Sequence, residues 1–423
     1  MNRILELLLI SIITLVLLES GSFLLFQYLT GLPFSYTAIS EKRKATITSI
    51  QARYLKEKKE TLYVLHPYLG YSGRPGAKPW GEHMPGFNSF GMMSVSGAPY
   101  PSSQKKDAFV VGIVGGSLAE IFANHVETEI NAYVTSHYKI NKPIILINLA
   151  TGGYKQPQQL FHIQYALLCG FTFDAIINID GFNEIALASY NYNHSFHPVF
   201  PSIHHLGLMA TLFSSSTPDI QTIKTLLRIH DVYARTFHIL SILEKPPLGY
   251  SVFLNLFSEL WLKRAEIKAN QLEYGLIEHA QININSLFSP PPLPQGDIYS
   301  VAADMWAHSS RMLYAICQAN HIRYVHILQP NQYVQGTKPL TFNEQTHAIN
   351  PENTWGISAK EGYSHLIERG HQLQAEGIPF YDFTMVFKDI QSDIYVDDCC
   401  HINALGNSII AKKLSDILIQ YFQ

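Results

Sequence analysis

The sequence predicts an α/β protein, a parallel sheet with helices on both faces, carried behind a membrane-spanning helix. Three observations carry that prediction: short β-branched runs recur along the chain, segments of helical period lie between them, and one long apolar stretch stands near the N-terminus. Strand–helix alternation of this kind packs helices over both faces of a parallel sheet.

The apolar stretch comes first. From Ile4 the chain reads "ILELLLISIITLVLLESGSFLLFQYLTG", long enough to cross a hydrocarbon core of roughly 30 Å. Residues 1–30 are therefore expected to form a single transmembrane anchor, interrupted in composition by Glu6 and Glu19. A cleaved signal peptide would have a shorter apolar core and a small-x-small site to close it. Arg3 favours an inside N-terminus, whereas Lys42, Arg43 and Lys44 on the other flank pull the opposite way. The body is expected on the extracytoplasmic, periplasmic side.

Residues 31–106 form an approach segment expected to pack on the body. It is rich in Gly, Pro and Tyr, as in "HPYLGYSGRPGAKPWG", a composition that makes turns and extended pieces and not long helices. The body follows in two parts, 107–190 and 301–423. "AFVVGIVGG", "PIILINLA" and "DAIINIDG" read as buried parallel strands, and "IRYVHILQP" and "IPFYDFT" as two more. "QPQQLFHIQYALLCG" has apolar residues at helical spacing and stops at Gly170. "INALGNSIIAKKLSDILIQYF" reads as a closing amphipathic helix. Residues 191–300 interrupt the pattern as a helical insertion. Thr217, Pro218 and Asp219 suit a helix start, and "SPPPLPQG" ends the interruption. The insertion is expected to be a cap over the site, a second membrane contact, or a peripheral helical pair.

Composition narrows the function. A net charge of −3 and a pI near 6.7, with no basic tract, give no footing for nucleic acid. Four cysteines (Cys169, Cys317, Cys399 and Cys400) are too few for a disulfide scaffold, and the zinc spacings CxxC and HExxH are absent.

In an open α/β sheet, ligands bind beyond the carboxyl ends of the strands. The first strand ends in "VGIVGGSLAE", which puts Ser117 at the start of the next helix, where free N–H groups favour developing negative charge. An ordinary N-cap serine would look the same. The second ends in "INLATGGYKQPQQL", where Gly153 can bring its N–H close to a ligand or simply make a turn. The third ends in "IDGFNEIA", where the Asn183 amide can meet an oxyanion or cap a helix. After the last comes "DDCCHINALGN", in which Asp398 and His401, three apart, would face the same way on a helical turn. A carboxylate there can orient the imidazole while its other nitrogen serves the serine.

A serine, a glycine, an asparagine and an Asp–His pair at successive strand ends resemble the SGNH, or GDSL-type, hydrolase family, in its bacterial membrane-attached form. The resemblance covers 107–190 and about 300–423 and implies a three-layer, flavodoxin-like sheet. It implies Ser117 as nucleophile, Asp398 as acid and His401 as base. The Ser117 N–H, the Gly153 N–H and the Asn183 side chain would form the oxyanion hole. The first block reads "GGS" in place of Gly-Asp-Ser, Glu184 stands where an aspartate is usual, and two cysteines fill the last block. The implied activity is hydrolysis of an acyl ester, O-acetyl or short-chain, on an envelope glycan or lipid, with no cofactor and no metal. An acyltransferase using the same residues and a non-catalytic envelope binding protein are the alternatives.

Adjacent Cα atoms lie about 3.8 Å apart, too close for a relaxed disulfide, so Cys399 and Cys400 are expected to be buried, inert thiols. A bridge from one of them to Cys169 or Cys317 is the oxidised alternative. A metal cluster of Asp397, Asp398, the thiols and His401 is disfavoured, because neighbours in sequence converge poorly on one tetrahedral ion.

Overall fold

The computed structural model describes residues 2–30, 34–51, 61–80, 85–93, 108–139, 142–207, 209, 220–285 and 291–420. The chain begins with helices α1 (Asn2–Thr30) and α2 (Tyr36–Ile50) and an antiparallel hairpin, β1 (Tyr63–His66) and β2 (Gly70–Gly73). Then follow β3 (Phe109–Gly115), α3 (Ser117–His125), α4 (Glu127–Tyr138), β4 (Ile144–Asn148), α5 (Gln158–Leu168), β5 (Ala175–Asp180) and α6 (Phe182–Asn193). Helices α7 (Ile203–Gly207), α8 (Ile220–Leu243), α9 (Val252–Asn285) and α10 (Ile298–Ala319) lead to β6 (Arg323–Leu328). The remainder is α11 (Phe342–His347), α12 (Thr354–Ala375), β7 (Phe380–Asp382) and α13 (Ala404–Ile419).

The chain divides into two compact units, Met1–Glu60 with Ser214–Ile282 and Thr61–Phe213 with Asn283–Gln423. The larger unit holds the sheet. Its five strands run in the order β4-β3-β5-β6-β7, all parallel. Every residue of β3 and β5 is buried, which is why both read as unbroken apolar runs and not as alternating ones. The flanking helices fall into two packed groups, α3 with α4 and α13, and α6 with α10 and α12. The chain leaves β3 for β4 at the sheet's edge and returns to β5 on the other side of β3. At that reversal the carboxyl ends of β3 and β5 open a crevice.

One buried carboxylate ties the crevice's floor together. Asp180, the last residue of β5, is 1% exposed. Its Oδ1 accepts from Trp306 Nε1 at 2.6 Å and from His326 Nε2 at 2.8 Å. Its Oδ2 accepts from Asn178 Nδ2 at 2.8 Å and Gln156 Nε2 at 3.2 Å. His326 Nδ1 in turn meets Ser310 Oγ at 2.8 Å.

Two expectations about organisation need correction. Residues 31–106 do contain a long helix, α2, capped by the Ser35 hydroxyl accepting from Ala38 N–H. Its stretch "YTAISEKRKATITSI" lacks Gly and Pro; the punctuation of 31–106 is concentrated beyond residue 66. The inserted helices are also fewer than 191–300. Residues 191–207 stay with the sheet unit, fastened by Asn191, whose Oδ1 accepts from Ile203 N–H at 2.9 Å and whose Nδ2 donates to the Phe200 and Pro201 carbonyls. The proposed helix start at Thr217–Asp219 lies outside the described residues, as does the first part of "SPPPLPQG".

The smaller unit gathers α1, α2, α8 and most of α9. Leu5–Leu29 is long and apolar enough to cross a membrane, with a mean hydropathy of 2.2, and most of its described residues are exposed. Glu19 within it accepts from the N–H groups of Val252 at 2.6 Å and Phe253 at 3.3 Å and from the Ser251 hydroxyl. It thus satisfies the free donors at the start of α9, where the helix dipole favours negative charge. Arg43 is buried, donating to the Leu243 carbonyl at 2.5 Å and Asn255 Oδ1 at 2.6 Å.

Replacing Asp180 with alanine would strand four buried donors in a site of no solvent access. That cost is expected to be about 3–5 kcal/mol. A urea denaturation series should show the Asp180→Ala midpoint far below wild type, and an unchanged midpoint would refute the hub.

Candidate functional site

The serine's placement follows from backbone sterics. β3 ends at Gly115, whose φ of +153° and approach to the Ile179 carbonyl leave no room for a side chain; an added Cβ would sit 2.1 Å from that oxygen. Gly116 follows as N-cap. A Cβ on Gly116 would lie 2.2 Å from Asn183 Nδ2, so the missing side chain is what admits the asparagine amide beside the serine's backbone. Ser117 is then the first residue of α3, with its N–H outside the helix ladder. From Ala108 to Glu120 it alone is not fully buried.

His401 reaches it from the far end of the chain. His401 Nε2 and Ser117 Oγ are 2.7 Å apart. On the other side of the ring, Nδ1 is 2.5 Å from Asp397 Oδ2. The acid in contact is therefore Asp397 and not Asp398, a correction to the sequence expectation. The reason lies in the local fold. Residues 397–401 do not form a helical turn; they are a bend closed by the Tyr395–Ile402 bridge and the Val396 N–H to His401 carbonyl bond. Inside that bend Asp397 Oδ1 accepts from the N–H groups of Cys399, Cys400 and His401 at 3.0, 3.2 and 3.3 Å. Asp398 points elsewhere, its Oδ2 accepting from Asn350 Nδ2 at 3.1 Å.

The segment after β6 grips this bend. Gln332 Nε2 donates to the Asp397 carbonyl at 2.9 Å, the Tyr333 hydroxyl to the Asp398 carbonyl at 2.8 Å, and Asn331 Nδ2 to the Cys399 carbonyl at 3.3 Å. Gln329 and Asn331, just beyond β6, are 3% and 0% exposed and serve as scaffold. Asp382 accepts from Thr384 N–H in a turn of its own.

The oxyanion candidates are less symmetrical. Asn183 Nδ2 donates to the Tyr154 carbonyl at 2.8 Å; an amide nitrogen carries two hydrogens, so one remains for a ligand. Gly153 has a φ of +75°, and a Cβ on it would meet the His205 ring at 2.1 Å. His205 stacks on Tyr71 at 5.5 Å. Burial, and then His204, keep its ring well below the ordinary histidine pKa.

Sequence reasoning missed a further group beside His401. Glu120, one helical turn after Ser117, is fully buried. Its Oε2 accepts from Trp80 Nε1 at 3.0 Å, the Gly152 N–H also bonds its carboxyl, and Oε1 has no partner among the described residues. Burial pushes this carboxyl up to about 8. The Trp80 ring meets the His401 ring edge-on, centroids 5.3 Å apart. Nothing in the local sequence "SLAEIFANH" marks this glutamate as different from a surface helix acid.

Charge sets the histidine's readiness. Burial works against a protonated ring at His401, but the charge of Cys400, the hydrogen bond and charge of Asp397, and Glu120 outweigh it and raise the pKa to about 9. Asp397 shows the converse. Burial disfavours its charge, yet the His401 bond and the backbone donors hold its pKa below the ordinary value. A hydroxyl, an imidazole and a carboxylate in this order can pass a proton from the hydroxyl to the ring as the oxygen attacks an electrophile. The same residue types occur a second time, as Ser310, His326 and Asp180, but all three are buried at 0–1% exposure, where no substrate enters.

No family profile and no curated protein sequence matches the chain. Among solved structures it is similar to a Bacteroides fragilis protein that carries the provisional name acylhydrolase, at 11% identity and a TM-score of 0.34, over 76% of this chain and 92% of the other. At that overlap the likeness says nothing of chemistry.

The two adjacent acids should separate cleanly. Labelling of Ser117 by a fluorophosphonate is expected to fall by about 10³–10⁴ in Asp397→Asn and little in Asp398→Asn. Only the neutral ring accepts a proton, so wild-type labelling should rise with pH through about 9. In Asp397→Asn the midpoint should move down, because the charge holding the proton on the ring is gone. Equal loss in both variants would refute the assignment of Asp397.

Proposed function

We propose that this chain is a membrane-anchored serine ester hydrolase of the SGNH type. One observation carries the reading: Ser117 Oγ lies 2.7 Å from His401 Nε2 while His401 Nδ1 lies 2.5 Å from Asp397, at the carboxyl ends of a parallel sheet. Ser117 attacks the ester carbonyl and His401 takes its proton. Asp397 holds the ring's tautomer and stabilises the imidazolium. The tetrahedral oxyanion is met by the Ser117 N–H at the start of α3, by the free hydrogen of Asn183 and by the Gly153 N–H. His401 then protonates the departing alcohol, and water, deprotonated by the same ring, releases the acyl group. Gly116 supports this arrangement by making room for Asn183 next to the nucleophile.

Trp80, edge-on to His401, offers an aromatic wall suited to a sugar ring or an acyl chain. Together with an apolar helix at Leu5–Leu29, this favours a small acyl ester on an envelope glycan or lipid, handled outside the cytoplasm.

A panel of activated acyl esters should give a burst of released alcohol equal to the enzyme present, abolished in Ser117→Ala and in His401→Ala. Turnover that survives Ser117→Ala would overturn the acyl-serine route. For orientation, a reporter active only outside the cytoplasm, fused after Gln423, should be active; activity of a cytoplasm-only reporter at that position would reverse the topology.

A further inference from the structure

The two thiols beside the histidine are unused by the chemistry above, and their geometry is that of a chelate. Cys399 Sγ and Cys400 Sγ are 3.5 Å apart, and both are free thiols. These two sulfurs and a ring nitrogen of His401 lie within 4.8 Å of one another. The bend that brings Asp397 to His401 also draws three neighbours in sequence together. It folds three consecutive side chains to one side, their N–H groups all held by Asp397 Oδ1.

A tetrahedral d¹⁰ cation has metal–sulfur bonds of about 2.3 Å and metal–nitrogen bonds of about 2.0–2.1 Å, which set sulfur–sulfur separations of about 3.8 Å. The dithiol is within a few tenths of an ångström of that spacing as it stands. Thiolate donors select soft cations over magnesium or calcium. Cys399 is the partly exposed member of the pair and Cys400 the buried one, so the cation would enter past Cys399.

We propose that Cys399, Cys400 and His401 form a binding site for a soft divalent cation such as Zn²⁺ or Cd²⁺, and that its occupation switches the serine off. Each thiol gives its proton to solvent as its sulfur binds, and the neutral ring contributes one nitrogen. Water completes the fourth position. Both ring nitrogens are already engaged, Nδ1 with Asp397 and Nε2 with Ser117. Whichever one binds the cation, a bond of the Ser117–His401–Asp397 relay is lost. Cation binding and proton relay therefore exclude each other, and the cation is an inhibitor and not a cofactor.

This switch rests on the hydrolase reading, but its test has a readout that does not. The reduced full-length protein in detergent is titrated with Cd²⁺, following the ultraviolet thiolate-to-cadmium absorption and, in parallel, fluorophosphonate labelling of Ser117. A saturable band at one cation per chain is expected, and labelling should slow by about 10²-fold or more as the base is withdrawn. Cys399→Ser and Cys400→Ser should each weaken the band and restore labelling in the presence of Cd²⁺. Cys169→Ser, at an exposed thiol elsewhere, should change neither. Absence of the band in wild type, or its persistence in both variants, overturns the site. A band with no effect on labelling overturns the switch. A normal band in a protein that never labels leaves the cation site standing and sinks the hydrolase reading instead.

Discussion

The crevice depends on two acids held out of water. Asp180 takes four donors from Trp306, His326, Asn178 and Gln156. Glu184, four residues on, accepts from the Gly181 N–H at 2.7 Å, the Gln156 N–H at 3.0 Å and Gln159 Nε2 at 3.0 Å. Burial, with Asp180 next to it, lifts the Glu184 carboxyl to about 8. Gln156 is shared by both acids, so the turn after β4 is locked to the start of α6. That lock sets the spacing between Gly153 on one strand end and Asn183 on the next. Glu184 thus spans from the start of α6 to the turn after β4.

A similar principle explains the acid in the apolar helix. Glu19 would be costly on a helix facing hydrocarbon, but it meets the open N–H groups of Val252 and Phe253. A charge that weakens the composition of α1 thus becomes the cap of α9. The pairing also gives the inserted helices a reason to associate with the N-terminal helix: each end supplies what the other lacks, a negative group for a helix N-terminus and donors for a half-buried carboxylate.

The bend at 397–401 serves two ends with one set of atoms. Asp397 uses one oxygen to gather three backbone N–H groups and the other to hold His401. Placing the acid inside the loop it organises makes the histidine's position a property of that loop, reinforced by Gln332, Tyr333 and Asn331 from the segment after β6. The price of that compactness is that Cys399 and Cys400 are folded against the same ring. The hydrogen bond from the Cys399 thiol holds the Cys400 thiol below its ordinary pKa, so negative charge on that sulfur adds to the field at His401.

Much of this was legible in the chain. Buried parallel strands need unbroken β-branched runs, so the strands read from "AFVVGIVGG" through "IPFYDFT" coincide with β3 to β7, and the serine and the asparagine fall just past the ends of β3 and β5 because the runs stop there. What the linear sequence left open were matters of direction and partnership. Asp397 and Asp398 are chemically identical and adjacent; the bend between Tyr395 and Ile402 turns Asp397 inward. Glu120 is an ordinary helix acid until Trp80 and Gly152 close over it. The insertion's limits depended on whether Asn191 binds forward to Ile203, a contact between residues with no shared period. Local patterning determined the sheet, its strands and the apolar helix, because each follows from the burial of neighbouring residues. Which acid faces the imidazole, and that a serine and a histidine 284 residues apart meet at all, was decided by the tertiary fold, because such contacts depend on how distant backbones cross.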